Sequence, residues 1–236
     1  MEEYQQIVSM LALSMGAAWA SGINLYAALV MMGLMGATGN MVLPEQLEIL
    51  SNPLVIGAAG LMYMVEFVAD KMPGVDTAWD SLHTFIRIPA GAMLAAGAVG
   101  ELAPAVELAA AIIGGGVAAT SHATKAGSRV LINTSPEPFS NWAASIAEDF
   151  AVLAGLYTAL IHPWVFLALL VLFLLLAIWI LPKLWRGIKT VFRGIGRLFG
   201  IKPLPADVEA AEPVPTESGS SSSKDPLALT ADSNNS

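Results

Sequence analysis

The sequence predicts an all-α, polytopic transmembrane helix bundle of about six spans. Three observations carry this. Hydrophobic residues make up 56% of the 236-residue chain and charged residues only 13%, about half the roughly 25% usual for soluble domains. Trp164–Leu181 is an uninterrupted run of 18 apolar residues, the length a bilayer-crossing helix needs. The other apolar runs are punctuated by Pro and by the 21 Gly, and small residues suit close helix packing in lipid.

In chain order, residues 5–38 form one apolar stretch of 34. As a single helix it would run about 51 Å against a hydrocarbon core of roughly 30 Å. Ser21-Gly22-Ile23-Asn24 is the expected interruption, because Gly weakens a helix and Asn competes for its backbone hydrogen bonds. A long tilted helix is the other option. Residues 39–52 read as a loop with a short amphipathic turn, and Pro53 opens a second span reaching about Ala69. Met72-Pro73-Gly74 ends it.

Residues 75–87 read as a polar-faced helix, with Asp76, Asp80, His83 and Arg87 on one side at i, i+4, i+7 and i+11. Residues 88–100 are apolar but only 13 long, so they span only if part of 81–87 is buried too. Pro104 opens a fourth span through the Gly114-Gly115-Gly116 run to Thr120. A polar connection, SHATKAGSRVLINTSPEP, follows. Phe139–Ile161 is the fifth span, with Glu148 and Asp149 in mid-helix, and His162-Pro163 turns the chain into the sixth.

Lys183, Arg186, Lys189, Arg193 and Arg197 then recur at spacings of three and four, opposite Trp185, Ile188, Phe192, Ile195 and Phe199. That pattern predicts a cationic amphipathic interfacial helix over 183–200 that contacts anionic lipid headgroups. Residues 201–236 are too polar to fold and form an acidic tail. From 203 onward it carries six acids against Lys224, so the net charge of -8 is mostly a tail property and argues for no particular partner, nucleic acid included. Cysteine is absent, which excludes disulfides and thiolate metal sites. With six spans, all 11 Lys and Arg fall on one side. The positive-inside rule then predicts an inner (plasma) membrane protein with both termini cytoplasmic.

Several strings give the chain a resemblance to a known family. They are Gly22-Ile23-Asn24-Leu25-Tyr26, EFVADKMPGVD at 66–76, WDSLHTFIR at 79–87, Lys125-Ala126-Gly127, Asn133-Thr134-Ser135-Pro136, Pro138-Phe139-Ser140-Asn141 and Glu148-Asp149. From about Ala20 to Trp185 the chain resembles the integral membrane family known as domain of unknown function 4126. The resemblance implies a bacterial-type multi-span protein and brings no activity with it.

Function must therefore come from the residues. Glu66 and Asp70 share a helix face, and Glu148 lies about 14 Å into its helix. Carboxylates this deep are costly unless paired, protonated or cation-bound. With Asn24 and Asp149 they form a candidate transport site for a small solute or cation. Three spans on either side of residue 102 would make a 3+3 inverted repeat with broken first and fourth helices. Lys71, Asp76, Asp80, His83, Arg87, Lys125 and Arg129 form a cytoplasmic polar cluster. The competing expectation is a non-transporting or lipid-interacting scaffold in which the same acids pair with Lys71, Arg87, Lys125 and Arg129 as helix clamps. Hydrolysis by Asp80 and His83 with Ser81, or Ser121 with His122, has weaker support, since no nucleophile elbow, HExxH or phosphate loop is present. No cofactor is expected and no metal is specified.

Overall fold

α1 (Glu2–Ala37) is the axis of the molecule. In a computed structural model that describes residues 1–72, 74–100, 102–134 and 138–198, every described element is helical. A 3₁₀ turn (Glu45–Ser51) follows α1, then α2 (Pro53–Ala69), α3 (Val75–Gly97), α4 (Pro104–Ile132), α5 (Pro138–Ile161) and α6 (Pro163–Leu198). α1 packs on α2, α3, α4 and α5. Of its most apolar 18-residue stretch 56% is buried, against 28, 22 and 17% for α4, α5 and α6, which makes it the central helix.

Small side chains allow that centrality. Ala12, Ala17, Ala18, Ala20 and Ala28 are fully buried along α1. At Gly22 the α4 backbone comes so close that a Cβ would collide with Ser121 Oγ and the Ala118 carbonyl. Gly91 of α3 meets Ala118 in the same way, and Gly114 of α4 meets Ala95. Hydroxyls bridge these contacts: Ser14 Oγ donates to the Ala95 carbonyl and Ser21 Oγ to the Arg87 carbonyl, each at 2.9 Å. In lipid such packing and interhelical bonding replace the hydrophobic drive that water supplies.

The interruption expected within Ser21–Asn24 is present. Asn24 has non-helical φ/ψ of -145° and 95° inside the 36 residues of α1. Its Oδ1 accepts the Ala27 N–H at 3.0 Å, so Asn24 caps the second half of the helix as an N-cap residue does. α2 starts where Pro53 predicts, with Asn52 Oδ1 accepting the Leu54 N–H at 2.9 Å. Gly74, at φ +85°, opens α3 in a backbone region that favours glycine.

Elsewhere the chain departs from expectation. Four helices are long and apolar enough to cross a membrane: α1, α4, residues 139–161 of α5 and residues 163–190 of α6. The 3₁₀ turn and α2, bent by 69°, make a fifth if the pair is one broken span. α3 is long enough at 23 residues but is not in that set; it holds Asp76, Asp80, His83 and Arg87. The run from Ser121 to Ile132, expected as a connection, continues α4 as helix. No break appears in α4 at Gly114–Gly116, so the expected interruption of the fourth helix is corrected. Gly114 serves close packing against Ala95 instead, and a continuous helix keeps its interior backbone groups bonded, as hydrocarbon demands. α6 likewise runs through Pro182 without interruption to Leu198. The side chain of Arg197 and the tail from 199 lie outside the described residues.

Gly22→Val should therefore separate α1 from α4 and cost about 1–3 kcal/mol by overpacking, read as a lower thermal unfolding midpoint in detergent. Gly57→Ala, where nothing lies within 4 Å of the added carbon, should leave the midpoint unchanged or slightly raised.

Candidate functional site

α2, α3, α4 and α5 each bring polar residues to one network in the bundle. α2 contributes Glu66, with Asp70 as its C-cap residue. α3 contributes Asp76, Asp80, His83 and Arg87, α4 Ser121, His122, Lys125 and Arg129. α5 contributes Asn141, Ser145, Glu148 and Asp149, and the same stripe turns apolar at Val152, Leu156 and Ala159. Glu66, Arg87 and Glu148 lie 10 to 13 residues from the far ends of their helices, about 15–20 Å along the axis.

Seven charged side chains meet there. Arg87 Nη2 donates to Glu66 Oε1 at 2.5 Å and Nη1 to Asp80 Oδ1 at 2.8 Å. Arg129 grips both oxygens of Glu148, Nε to Oε1 at 3.1 Å and Nη2 to Oε2 at 2.6 Å. Between the two guanidinium groups lies Lys125. Its Nζ is 2.9 Å from Asp70 Oδ2, 3.4 Å from Glu148 Oε2, 3.5 Å from Glu66 Oε1 and 3.8 Å from Asp80 Oδ1. The same ammonium donates to the Ile23 carbonyl at 3.1 Å, just before the break in α1. Six of the seven side chains are at most 4% exposed; Glu148, at 17%, is the network's edge.

A second layer of contacts fixes this core. Arg129 Nη1 donates to the Asp70 and Asn141 carbonyls and to Asn141 Oδ1. Asn24 Nδ2 donates to Asp149 Oδ1 at 2.9 Å, which ties α5 to the α1 break. Asp76 accepts from the Gly74 and Thr77 N–H groups and, at 2.8 and 2.9 Å, from Asn133 Nδ2. His83 stacks on Trp79 and lies 3.2 Å from the Tyr26 hydroxyl through Nε2. Lys71, in the turn after α2, covers the Phe67 ring and reaches the Phe67 carbonyl and Ser145 Oγ. Burial pushes its ammonium below the ordinary lysine range, while Asp149 and Asp70 oppose that shift.

The structure brings the transport candidates Glu66, Asp70 and Glu148 together, with Asn24 and Asp149 beside them. It also joins four members of the expected cytoplasmic polar cluster to these acids. Asp80, Arg87, Lys125 and Arg129 are in the centre of the network because each faces side chains of opposite charge, not water. Asp76 is fully buried, and His83 is 5% exposed; only Lys71 keeps a partly exposed position. Sequence reasoning missed Asn141 as the brace of Arg129 and Asn133 as the holder of Asp76. The signal for Asn141 was its four-residue register with Ser145 and Asp149. The serines weighed for hydrolysis are bonded elsewhere: Ser81 Oγ donates to the Thr77 carbonyl, and Ser121 Oγ faces the carbonyls of Trp19, Val117 and Ala118. Lys183 Nζ covers the Trp179 ring and Lys189 approaches that of Trp185, while the Arg186 and Arg193 side chains turn back along α6.

The two larger described cavities lie away from the charged network. One of about 450 Å³ is lined mainly by Leu25, Leu29, Leu47, Leu50, Met93 and Leu94, and one of about 380 Å³ by Tyr26, Leu29, Leu54, Val55 and Met62. Among the described residues no group of three or more His, Asp or Glu side chains is placed to hold a metal ion.

Residues 11–183 match the model of the family described as Domain of unknown function (DUF4126). The chain belongs to that family. The DUF4126 match takes in every residue of the ion network and ends at Lys183, before the rest of the basic segment of α6. No curated protein and no solved structure matches the chain.

Arg129→Met would leave Glu148 and Asp70 without their guanidinium, an expected cost of about 3–5 kcal/mol for a broken buried pair. Adding Glu148→Leu should recover a substantial part of that loss. A double-mutant cycle on thermal unfolding measures the coupling, and additive losses would mean that the pair is energetically silent.

Proposed function

We propose that this DUF4126 chain is a six-span inner-membrane protein, α3 included, whose buried charges clamp the helices around the break in α1. On this reading it is a closed, non-conducting scaffold in the bilayer. One observation carries it: every acid of the network has a Lys or Arg partner on another helix, and Arg129 holds Glu148 at two points. None of the described cavities is lined by a residue of the network, which agrees with a clamp and not a wet path.

Both termini are placed in the cytoplasm. Of the basic residues that suggest this, Lys71, Arg87, Lys125 and Arg129 belong to the helix interior or its edge. The orientation therefore rests on the segment Lys183–Arg197, which follows the most apolar helix and meets anionic headgroups through Lys183, Arg186, Lys189, Arg193 and Arg197. Domain division follows the same line: a transmembrane domain over 1–182, the basic interfacial segment over 183–200 and an acidic tail over 201–236. Three spans on each side of residue 102 would give the halves opposite orientations, although the break in α1 has no counterpart in α4.

A second reading, carriage of a small solute or cation, is favoured by the break itself. At Asn24 one half-helix ends on the Ile23 carbonyl, bonded to Lys125, and the next begins beside Asp149. Discontinuous helices of secondary transporters present such ends to their cargo.

Flux in proteoliposomes separates the two. The clamp reading expects wild-type permeability to monovalent cations and protons equal to that of protein-free vesicles, with Glu66→Gln and Glu148→Gln altering thermal stability alone. Flux above that baseline, lost in Glu66→Gln while the protein stays folded, would establish carriage instead.

A further inference from the structure

The acids and bases of the network do not balance. Glu66, Asp70, Asp80 and Glu148 face Arg87, Lys125 and Arg129, four carboxylates against three cations. The surrounding groups do not correct the difference. α1 offers Asn24, Tyr26 and the Ile23 carbonyl, none of them charged. Lys71 after α2 and Asp149 on α5 add one charge of each sign. Asp76 on α3 adds a further acid whose hydrogen-bond donors are all neutral. On α4, His122 Nδ1 lies 3.3 Å from Arg87 Nη1. A guanidinium only donates, so this nitrogen must accept and the ring is neutral. On α3, His83 Nδ1 lies 2.9 Å from the Trp79 carbonyl and must donate to it. Its Nε2 lies 3.2 Å from the Tyr26 hydroxyl, a contact that a neutral ring makes by accepting.

A second observation points to the same deficit. Three of the four carboxylates keep one buried oxygen with no hydrogen-bond partner: Glu66 Oε2, Asp70 Oδ1 and Asp80 Oδ2. These residues are 0, 3 and 1% exposed, and all three surround the Lys125 ammonium. A proton on one of these carboxyl groups removes the excess charge. It also converts an orphaned acceptor into a donor.

We propose that the network is a proton-binding site: one proton, shared among Glu66, Asp70 and Asp80, belongs to the resting clamp. It is taken from water and forms one O–H bond without breaking another in the protein. Glu148, the most exposed of the four carboxylates, is its way in. This deepens the clamp reading of the same residues. Loss of the proton leaves like charges around Lys125, so the clamp loosens as the medium becomes alkaline.

Infrared spectroscopy of the full chain in lipid nanodiscs tests this, because a protonated carboxyl has a C=O stretch that an ionised one lacks and that shifts in heavy water. At neutral pH the wild type should show one such band, lost on raising the pH. Glu66→Gln, Asp70→Asn and Asp80→Asn should each abolish it, since each brings the count to three against three. Lys125→Met, which leaves two carboxylates in excess, should double it. Wild-type protein that is folded but shows no band overturns the proposal, whether the balancing proton is absent or sits on His83. A band that survives all three amide substitutions also overturns it, placing the proton on another acid. Should an amide variant fail to fold, the wild-type titration still decides. The clamp reading fails separately: wild-type flux above that of empty vesicles sinks it while leaving the band untouched.

Discussion

One ammonium group, that of Lys125, organises the polar interior. Four carboxylates from three helices and the carbonyl at the break of a fourth lie within 4 Å of its Nζ. None of these buried groups would be stable alone, since an isolated charge taken out of water costs several kcal/mol. Their costs are interdependent, so the helices that carry them cannot take up positions independently. Arg87 on one side and Arg129 on the other extend the constraint, so that α2, α3, α4 and α5 share one electrostatic centre.

The break in α1 belongs to the same constraint. An uninterrupted helix would present no free carbonyl to Lys125, because the Ile23 oxygen would be bonded within the helix. Asn24 leaves the helical region and frees that carbonyl. It then caps the next half-helix with Oδ1 and reaches Asp149 with Nδ2. One side chain therefore meets the needs of two helix ends and one buried acid. The flanking residues, Ser21, Gly22 and Ile23, let α3 and α4 approach closely enough for Arg87 and Lys125 to arrive.

Much of the fold was legible in the sequence, for physical reasons that also mark where legibility ends. Pro53, Pro104 and the His162-Pro163 turn announce helix starts because proline suits the first turn, where its missing N–H costs nothing. The stretch 5–38 announces a break because it is too long for the bilayer. The stripe Asp76-Asp80-His83-Arg87 was equally visible, but periodicity identifies a face without saying what it faces. Water and a set of buried countercharges select the same residues. For the same reason the polar run from Ser121 to Arg129 reads as a connection until Glu66, Asp70 and Glu148 are seen opposite it. The pairing is three-dimensional information, carried by residues 19 to 59 positions apart.

Charges are an uneconomical way to hold helices together, and well-packed apolar side chains often do as well or better. Their use here makes sense where packing alone specifies too little. The faces joining α1, α3 and α4 are lined with Gly, Ala and Ser, and smooth faces of that kind tolerate sliding along the helix axes. Lipid provides no hydrophobic force to select one register over another. A guanidinium that must meet two carboxylate oxygens at once does select, because a shift of one residue, about 1.5 Å, breaks both bonds. The network therefore contributes register more than adhesion. An arrangement held by register among unequal numbers of acids and bases is also one whose hold changes with a single proton.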